Sequence, residues 1–86
     1  MMQVTEVPQP AEYQFDFSTA LHYLRSGSRV ARAGWNGKNM WIALQMPTPQ
    51  SLMTLPYIYM YTAQGDLVPW LASQTDILAH DWTLQG

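Results

Sequence analysis

The first regular segment of the chain has the apolar spacing of an amphipathic helix. Four apolar side chains recur at helical intervals and would share one face: Phe17, Ala20, Leu21 and Leu24. Either Asp16 or Ser18 can cap the first free amides of this helix. Arg25 falls in its last turn, and Gly27 is well placed for the left-handed residue that ends a helix. His22 lies off the apolar stripe, so we expect it to face solvent.

After the helix, apolar side chains alternate with a period of two, as they do in β-strands. Residues 28–33 and 40–45 suit two such strands, joined by a turn over residues 34–38. This turn contains Asn36-Gly37, and Asn-Gly predicts a type I′ hairpin because both central positions of that turn need a positive φ. In the second strand, one face would carry Met40, Ile42 and Leu44, and the other Trp41 and Ala43.

Prolines and tyrosines mark the next part of the chain. Three prolines within residues 46–56 predict an extended loop, because proline is excluded from central strands. Residues 57–62 alternate as a strand, with one face formed by Tyr57, Tyr59 and Tyr61. We expect this tyrosine stripe to be a packed sheet face rather than a cofactor site. A turn at residues 64–66 then leads to a short strand that Pro69 ends.

The last part of the chain completes an α+β fold. Residues 73–76 fit a capping box that begins a short helix through about Ala79, and residues 82–84 suit a final strand. The order α-β-β-β-β-α-β indicates a small, mainly antiparallel sheet with one N-terminal helix and one short C-terminal helix. Residues 1–14 have no clear period, so we interpret them as a flexible extension before a single domain over residues 15–86.

The composition indicates a small protein that hides apolar surface by self-association. Of its 86 residues, 48% are hydrophobic and 12% are charged, about half of the roughly 25% charged residues usual in soluble domains. Because so few charges are available to cover the surface, we expect a homo-oligomer. The sequence has no cysteine, no signal-peptide pattern and no apolar run that could span a membrane. These features favour a cytoplasmic protein without a membrane partner.

The basic residues are concentrated in the middle of a chain whose net charge is −2. There are four of them: Arg25, Arg29, Arg32 and Lys38. No Asp or Glu occurs between Asp16 and Asp66, so this segment could hold a small anion, whereas a long nucleic acid would meet carboxylates nearby. The alternative is that these are ordinary solvated charges at strand ends.

No catalytic or metal-binding pattern stands out in the sequence. His22 and His80 stand alone, and the interval between Asp76 and Asp81 does not place them on one helical face. The sequence also lacks a phosphate-binding loop, a dinucleotide-binding glycine motif and a nucleophile elbow. We therefore expect a binding protein without a cofactor rather than an enzyme.

Trp35 is the first candidate for binding a flat ligand. It lies in a glycine-flanked turn beside Asn36 and Lys38, where its ring could stack on a nucleobase. Alternatively, the ring could fold back over the sheet and cover the core. Trp41 and Trp82 lie within strand patterns, so we expect them in the core or in an interface.

Trp70, near the second helix, is another candidate for stacking on a flat ligand, with packing over the core as the alternative. It precedes Ser73, Gln74 and Asp76, which offer hydroxyl, amide and carboxylate groups at a helix start. Amides at a helix start favour anions, and a carboxylate can accept hydrogen bonds from ribose hydroxyls. The alternative is that Ser73 and Asp76 only cap each other.

Two longer strings resemble a known protein family. They are residues 29–38 (RVARAGWNGK) and residues 67–82 (LVPWLASQTDILAHDW). Both are similar to short phage and prophage proteins of the second Thoeris anti-defence family. With the preceding helix, the likeness covers residues 15–84, and the second string is the more specific one. The extension over residues 1–14 is an addition, and the loop over residues 46–56 varies within the family.

The resemblance implies a role as a molecular sponge. Thoeris is a bacterial antiviral system in which a TIR-domain enzyme converts NAD into a cyclic ADP-ribose isomer that triggers cell death. Family members bind this signal without cleaving it, as homotetramers with pockets between protomers, and some also hold cyclic oligonucleotides. The ligand-binding positions that the resemblance implies here are Trp35, Asn36, Trp70, Ser73, Gln74 and Asp76.

The cations complete the candidate site. We expect at least one of the basic side chains to neutralise the ligand's pyrophosphate, and Arg29, Arg32 and Lys38 are the candidates nearest to Trp35 in the sequence. Arginine is favoured over lysine because its planar fork binds phosphate through two hydrogen bonds.

Three other functions compete with the sponge. An enzyme acting on the same nucleotide would release an altered product, whereas a sponge returns its ligand intact. A structural or interaction module of a virion would use the apolar surface for assembly and would have no nucleotide affinity. A nucleic-acid binder is disfavoured because the chain has too few basic residues for many phosphate contacts.

Overall fold

Five antiparallel strands form one sheet in the computed structural model, which describes residues 13–85. The elements in chain order are α1 Phe17–Arg25, β1 Arg29–Arg32, β2 Trp41–Gln45, β3 Tyr57–Tyr61, β4 Leu67–Pro69, α2 Gln74–Ile77 and β5 Trp82–Gln85. The order of strands across the sheet is β4-β3-β2-β1-β5. This confirms the predicted α+β fold with two helices. Most of the predicted extension, residues 1–12, lies outside the described residues.

Helix α1 begins and ends at the predicted capping residues. The Asp16 carboxylate accepts a hydrogen bond from the Thr19 amide at 2.9 Å, and this bond holds the pKa of Asp16 below its ordinary value. At the other end Gly27 has a φ of 91°, a left-handed conformation that costs glycine little. Leu24 is buried against the sheet and His22 is exposed, both as predicted.

Helix α1 covers one face of the sheet, which carries the core. Val30 of β1 lies directly opposite Ile42 of β2, and Trp82 of β5 lies opposite Arg32. The buried cluster on this face consists of Phe15, Ala20, Leu24, Val30, Ile42 and Trp82. Trp82 has no exposed surface, so its predicted place in the core is confirmed.

The opposite face of the sheet is aromatic, and we call it the open face. Strand pairing places on it Trp41, Tyr57, Tyr59, Tyr61, Leu67 and Pro69. The Trp41 and Tyr61 rings stack, with centroids 5.3 Å apart and planes 14° apart. The Arg29 guanidinium lies 4.7 Å from the centre of the Trp41 ring, within range of a cation–π interaction. The tyrosine stripe is thus part of a sheet face on which Tyr59 and Tyr61 pack against the Trp41 ring.

The predicted type I′ turn at Asn36-Gly37 is wrong. The connection between β1 and β2 is a wider loop over residues 33–40, and its positive φ of 62° belongs to Asn39. The physical reason is that Trp35 packs against the core, so the chain must run outward before it can return as β2. Gly37 is required for space: a Cβ there would lie 2.6 Å from the Cβ of Ala63.

Other boundaries differ only slightly from the predicted ones. Helix α2 ends at Ile77 instead of about Ala79. Pro69 is the last residue of β4, opposite Tyr59, which an edge strand tolerates because its outer side needs no hydrogen-bond donor. The proline-containing segment over residues 46–56 is a loop, as predicted. Neither helix within residues 13–85 is long and apolar enough to cross a membrane.

Candidate functional site

Arg32 joins two carboxylates that are distant in the sequence. Its Nε donates to Asp81 Oδ1 at 2.8 Å, and its Nη1 donates to Asp76 Oδ1 at 2.9 Å. The side chains of Arg32 and Asp76 are 18% and 14% exposed, so both ion pairs are partly shielded from water. We call these three residues the Arg32 cluster; they tie together the end of β1, helix α2 and the start of β5.

The ion pairs set the protonation of the Arg32 cluster. Hydrogen bonds from Arg32 hold the pKa of Asp81 below its ordinary value, although burial acts in the opposite direction. Burial also acts to raise the pKa of Asp76, but hydrogen bonds from Arg32, Trp35 and Ser73 outweigh it and lower the pKa. Hydrogen bonds to Asp81 and then Asp76 raise the pKa of Arg32. All three groups are therefore charged at neutral pH, and the cluster carries a formal charge of −1.

The same carboxylates hold the loop over residues 33–40. Asp81 Oδ2 accepts a hydrogen bond from the Gly34 amide at 2.8 Å, and the Asp81 carbonyl accepts one from Ala33 at 2.9 Å. Asp76 Oδ1 also accepts a hydrogen bond from the Trp35 indole N–H at 3.3 Å. The start of the loop is therefore fixed by α2 and β5 rather than by a local turn.

Trp82 is the centre of an aromatic group beneath the loop. The Trp35 ring meets it edge-on at 5.4 Å and the Trp70 ring at 6.0 Å. Phe17 of α1 completes the group, 5.2 Å from Trp82. The indole N–H of Trp82 donates to the Asp76 carbonyl at 3.0 Å, so this buried donor is satisfied. Trp35 thus has one edge on the core, as one reading of the sequence expected.

Trp35 also forms a wall of an open groove, which we call the Trp35 groove. It has a volume of about 360 Å³ and lies between the loop over residues 33–40 and the paired strands β1 and β5. Its polar side chains are Gln14, Arg32, Asn39, Thr83 and Gln85. This volume is near the lower end of the range of roughly 300–1,000 Å³ that small-molecule sites occupy.

The structure brings together only some of the predicted site residues. Arg32 and Trp35 line the Trp35 groove, and Asp76 contacts both of them. Asn36 and Lys38 are exposed on the same loop. Trp70, Ser73 and Gln74 lie on the α2 side and do not line the groove. Arg29 does not line it either, but it is paired with the groove residue Gln85, and its guanidinium lies over the Trp41 ring.

Ser73 has the structural role that was its alternative interpretation. It is the N-cap of α2, and its hydroxyl accepts a hydrogen bond from the Asp76 amide at 3.0 Å. The Asp76 carboxylate interacts with Ser73 in turn, in addition to its hydrogen bonds from Arg32 and Trp35. Both residues of the predicted capping box therefore take part in the cap.

Sequence reasoning missed several side chains at this site. Thr83 and Gln85 alternate along β5 and so share a face, a signal that the sequence did contain. Asp81 was considered as a metal ligand and as a charge that repels nucleic acid, but not as part of the site, and Gln14 fell in the predicted extension. Asn39 had no signal, because the predicted turn was centred three residues earlier.

The groups that line the groove are suited to recognising a ligand. Its amide and hydroxyl groups can donate and accept hydrogen bonds, and the Trp35 ring offers an apolar surface. Among residues 13–85, no group of three His, Asp or Glu side chains is arranged to hold a metal ion. The Asp76 and Asp81 carboxylates are occupied by the Arg32 guanidinium, which disfavours a role for either as a general base.

A larger cavity lies away from these residues. It has a volume of about 500 Å³ and is lined by the loop over residues 46–56 and strand β4, including Leu55, Tyr59 and Leu67. Because Tyr59 and Leu67 also belong to the open face, this apolar cavity continues that surface. None of the predicted ligand-binding residues lines it.

Comparison with known proteins identifies the family. The sequence model of the Thoeris anti-defense 2-like domain matches residues 15–85, nearly all of the described chain. The protein named Thoeris anti-defense 2 from Bacillus phage SP01 is 33% identical over 84 residues, which cover 83% of this chain and 94% of that protein. The chain belongs to the Thoeris anti-defense 2-like family.

Proposed function

We propose that this protein binds and sequesters a cyclic ADP-ribose-type immune signal, glyco-cyclic ADP-ribose, without cleaving it. Family membership supports an anti-defence role in phage infection. By holding the signal in the host cytoplasm, the protein would keep its free concentration below the level that activates Thoeris. Cyclic oligonucleotides, which share a base and phosphates with this signal, are a second ligand class within the same proposal.

The observation that carries the proposal is the Trp35 groove. It combines an aromatic wall with four neutral hydrogen-bonding side chains, Gln14, Asn39, Thr83 and Gln85. A nucleobase needs a flat apolar surface for stacking, and ribose hydroxyls need amide or hydroxyl partners. The groove offers both within about 360 Å³.

The phosphates of the ligand require a cation, and the charges near the groove favour Lys38. The fork of Arg32 already binds Asp76 and Asp81, so the Arg32 cluster has a formal charge of −1 and does not attract phosphate. Lys38 is exposed on the loop that carries Trp35. We therefore assign the phosphate contact to Lys38, although the sequence favoured an arginine.

A second copy of the chain would complete the pocket. The open face exposes aromatic and apolar side chains, with Leu67 64% exposed and Tyr57 39% exposed, and such a surface favours self-association. In a homotetramer, Trp70, Ser73 and Gln74 of one protomer could reach the Trp35 groove of another. This would unite the two groups of predicted residues that a single protomer keeps apart.

The test is recovery of the ligand. The purified protein is incubated with glyco-cyclic ADP-ribose, washed, denatured by heat, and the released small molecules are analysed by mass spectrometry. A sponge returns the intact nucleotide in proportion to protein, and Trp35→Ala returns less. A linear product would identify an enzyme, and no retained nucleotide from the wild-type protein would refute the proposal.

A further inference from the structure

The start of the loop over residues 33–40 is held by one side chain from the far end of the sequence. Asp81 accepts hydrogen bonds from Arg32 Nε at 2.8 Å and from the Gly34 amide at 2.8 Å. It is separated from these partners by 49 and 47 residues in the sequence. The carboxylate is thus fixed on one side by a cation and on the other by the loop backbone.

Asp81 also determines where the Trp35 ring lies. Its ion pair orients Arg32, and Arg32 in turn binds the Asp76 oxygen that accepts the Trp35 indole N–H. Gly34, whose amide Asp81 binds, directly precedes Trp35. Two routes, one through the backbone and one through Arg32 and Asp76, therefore lead from Asp81 to the ring.

We propose that Asp81 is a positioning residue that preforms the Trp35 wall of the groove before a ligand arrives. The inference rests on the proposed function, since it concerns the same groove. Asp81 does not line the groove, whereas Arg32 and Trp35 do. Its effect on binding is therefore indirect: it sets the fraction of molecules whose loop can accept the ligand.

If Asp81 preforms the groove, its loss should change the binding rates differently from the loss of a residue that contacts the ligand directly. When only part of the population is competent to bind, the apparent dissociation constant rises by the inverse of that fraction. If Asp81→Asn leaves about one molecule in ten with the native loop, the association rate falls about tenfold. The dissociation rate stays unchanged, because the complex, once formed, has the same contacts as the wild type.

Both rates can be measured by stopped-flow fluorescence with glyco-cyclic ADP-ribose as the probe. The matched control is Asp66→Asn, which removes the same charge from an exposed turn between β3 and β4. We expect control rates equal to those of the wild type. A faster dissociation with unchanged association in Asp81→Asn would mean that Asp81 contacts the ligand, and it would overturn the inference. Unchanged rates would overturn it as well.

The position of the ring is tested separately, without any ligand. In protein labelled with 5-fluorotryptophan, the Trp35 resonance is assigned by its loss in Trp35→Phe. Asp81→Asn should shift or broaden the Trp35 signal and leave that of Trp41 on the open face unchanged. If the wild-type protein does not retain the nucleotide, the proposed function fails, and this spectrum alone decides the inference: an unmoved Trp35 signal overturns it.

A second variant, Gly34→Ala, disturbs the contact between Asp81 and the loop from the loop side. A Cβ added at Gly34 would lie 2.8 Å from Asp81 Oδ2, so Gly34→Ala must displace the carboxylate without removing its charge. It should reproduce the slower association and the altered Trp35 signal of Asp81→Asn. If Asp81→Asn fails to fold, Gly34→Ala alone tests the positioning role of Asp81. Wild-type association kinetics together with an unmoved Trp35 signal in Gly34→Ala would contradict the inference.

Discussion

Trp35 contacts both the core and the groove. One edge meets Trp82, its indole N–H donates to Asp76, and its remaining surface lines the groove. The two interpretations that the sequence allowed, a lid on the core and a stacking surface, therefore describe different sides of one ring. A substitution at Trp35 should affect both stability and binding, and the two effects have to be measured separately.

We expect Trp35→Ala to lose about 1–3 kcal/mol of ligand affinity, the range for one lost stack. The variant should remain folded, with a free energy of unfolding lower by about 1–3 kcal/mol because contacts with Trp82 are lost. Calorimetry and urea denaturation measure the two quantities. Trp35→Phe is the control, since it keeps an aromatic ring for stacking, although the ring is smaller and lacks the N–H donor. Unchanged affinity in a folded Trp35→Ala would exclude stacking on this ring.

The assignment of the phosphate contact to Lys38 leads to a second prediction at the scale of single residues. Lys38→Gln should weaken binding by about 1 kcal/mol, and the loss should shrink at high salt because exposed charges are screened. Its unfolding free energy should equal that of the wild type. Titrations at two salt concentrations, with Arg25→Gln on the last turn of α1 as the control, test this. If Arg25→Gln is the more damaging variant, the assignment of the phosphate contact to Lys38 is wrong.

Among the elements, α2 is joined to β1 by the ion pair between Asp76 and Arg32, whereas β5 is also paired with β1 along the sheet. Asp76 and Asp81 have lowered pKa values in the folded protein, with Arg32 as a main hydrogen-bond partner of each. A carboxyl of this kind stabilises the fold above its unfolded pKa of about 3.9. That stabilisation is lost as the pH falls from there through the lower, folded pKa.

We therefore expect the difference in unfolding free energy between the wild type and Asp76→Asn to depend on pH. At pH 7 the free energy of unfolding of the variant should be lower by about 1.5–3 kcal/mol, the range for hydrogen bonds to charged groups. Below about pH 4 the difference should shrink, because Asp76 binds a proton first in the unfolded chain and, at still lower pH, in the folded protein. Urea denaturation at pH 7, 4 and 3 measures it, with Asp66→Asn as a control. A difference that does not change with pH would show that the ion pair adds nothing.

Local signals predicted the elements better than they predicted the loop between β1 and β2. The caps of α1, the strand alternation and the prolines act on their immediate neighbours, so a single sequence reveals them. The loop instead depends on Arg32 meeting Asp76 and Asp81, which lie 44 and 49 residues away. Asn-Gly favours a tight turn, but the packing of Trp35 and the close approach of Ala63 to Gly37 outweigh that preference.

For the whole molecule, the open face leads to an expectation about assembly. We expect a homotetramer that buries this face, because its aromatic side chains would otherwise remain in water. Light scattering coupled to size exclusion measures the mass. Tyr59→Glu on the open face should give smaller species, whereas His22→Glu on the exposed side of α1 should not. A wild-type monomer at micromolar concentration would refute the tetramer and the shared pocket together.

The sequence indicated some side chains of the candidate site but not all of the residues that line it. The sequence indicated Trp35, Arg32 and Asp76, and the fold brings these three into contact. No sequence pattern indicated Gln14, which reaches the groove because Phe15 pairs with Trp82 at the edge of the sheet. That pairing is a long-range contact, and no local pattern encodes it.

This arrangement also determines where the protein can be tagged. Gln14 and Gln85 both line the Trp35 groove, so the chain enters and leaves the described domain beside it. A histidine tag or fluorescent fusion joined directly before Gln14 or directly after Gln85 would begin beside the groove and could obstruct it. The loop over residues 46–56 follows β2, at the other end of that strand from the loop that carries Trp35. A short epitope inserted there therefore leaves the groove accessible. Affinities are therefore best measured after both terminal tags have been removed.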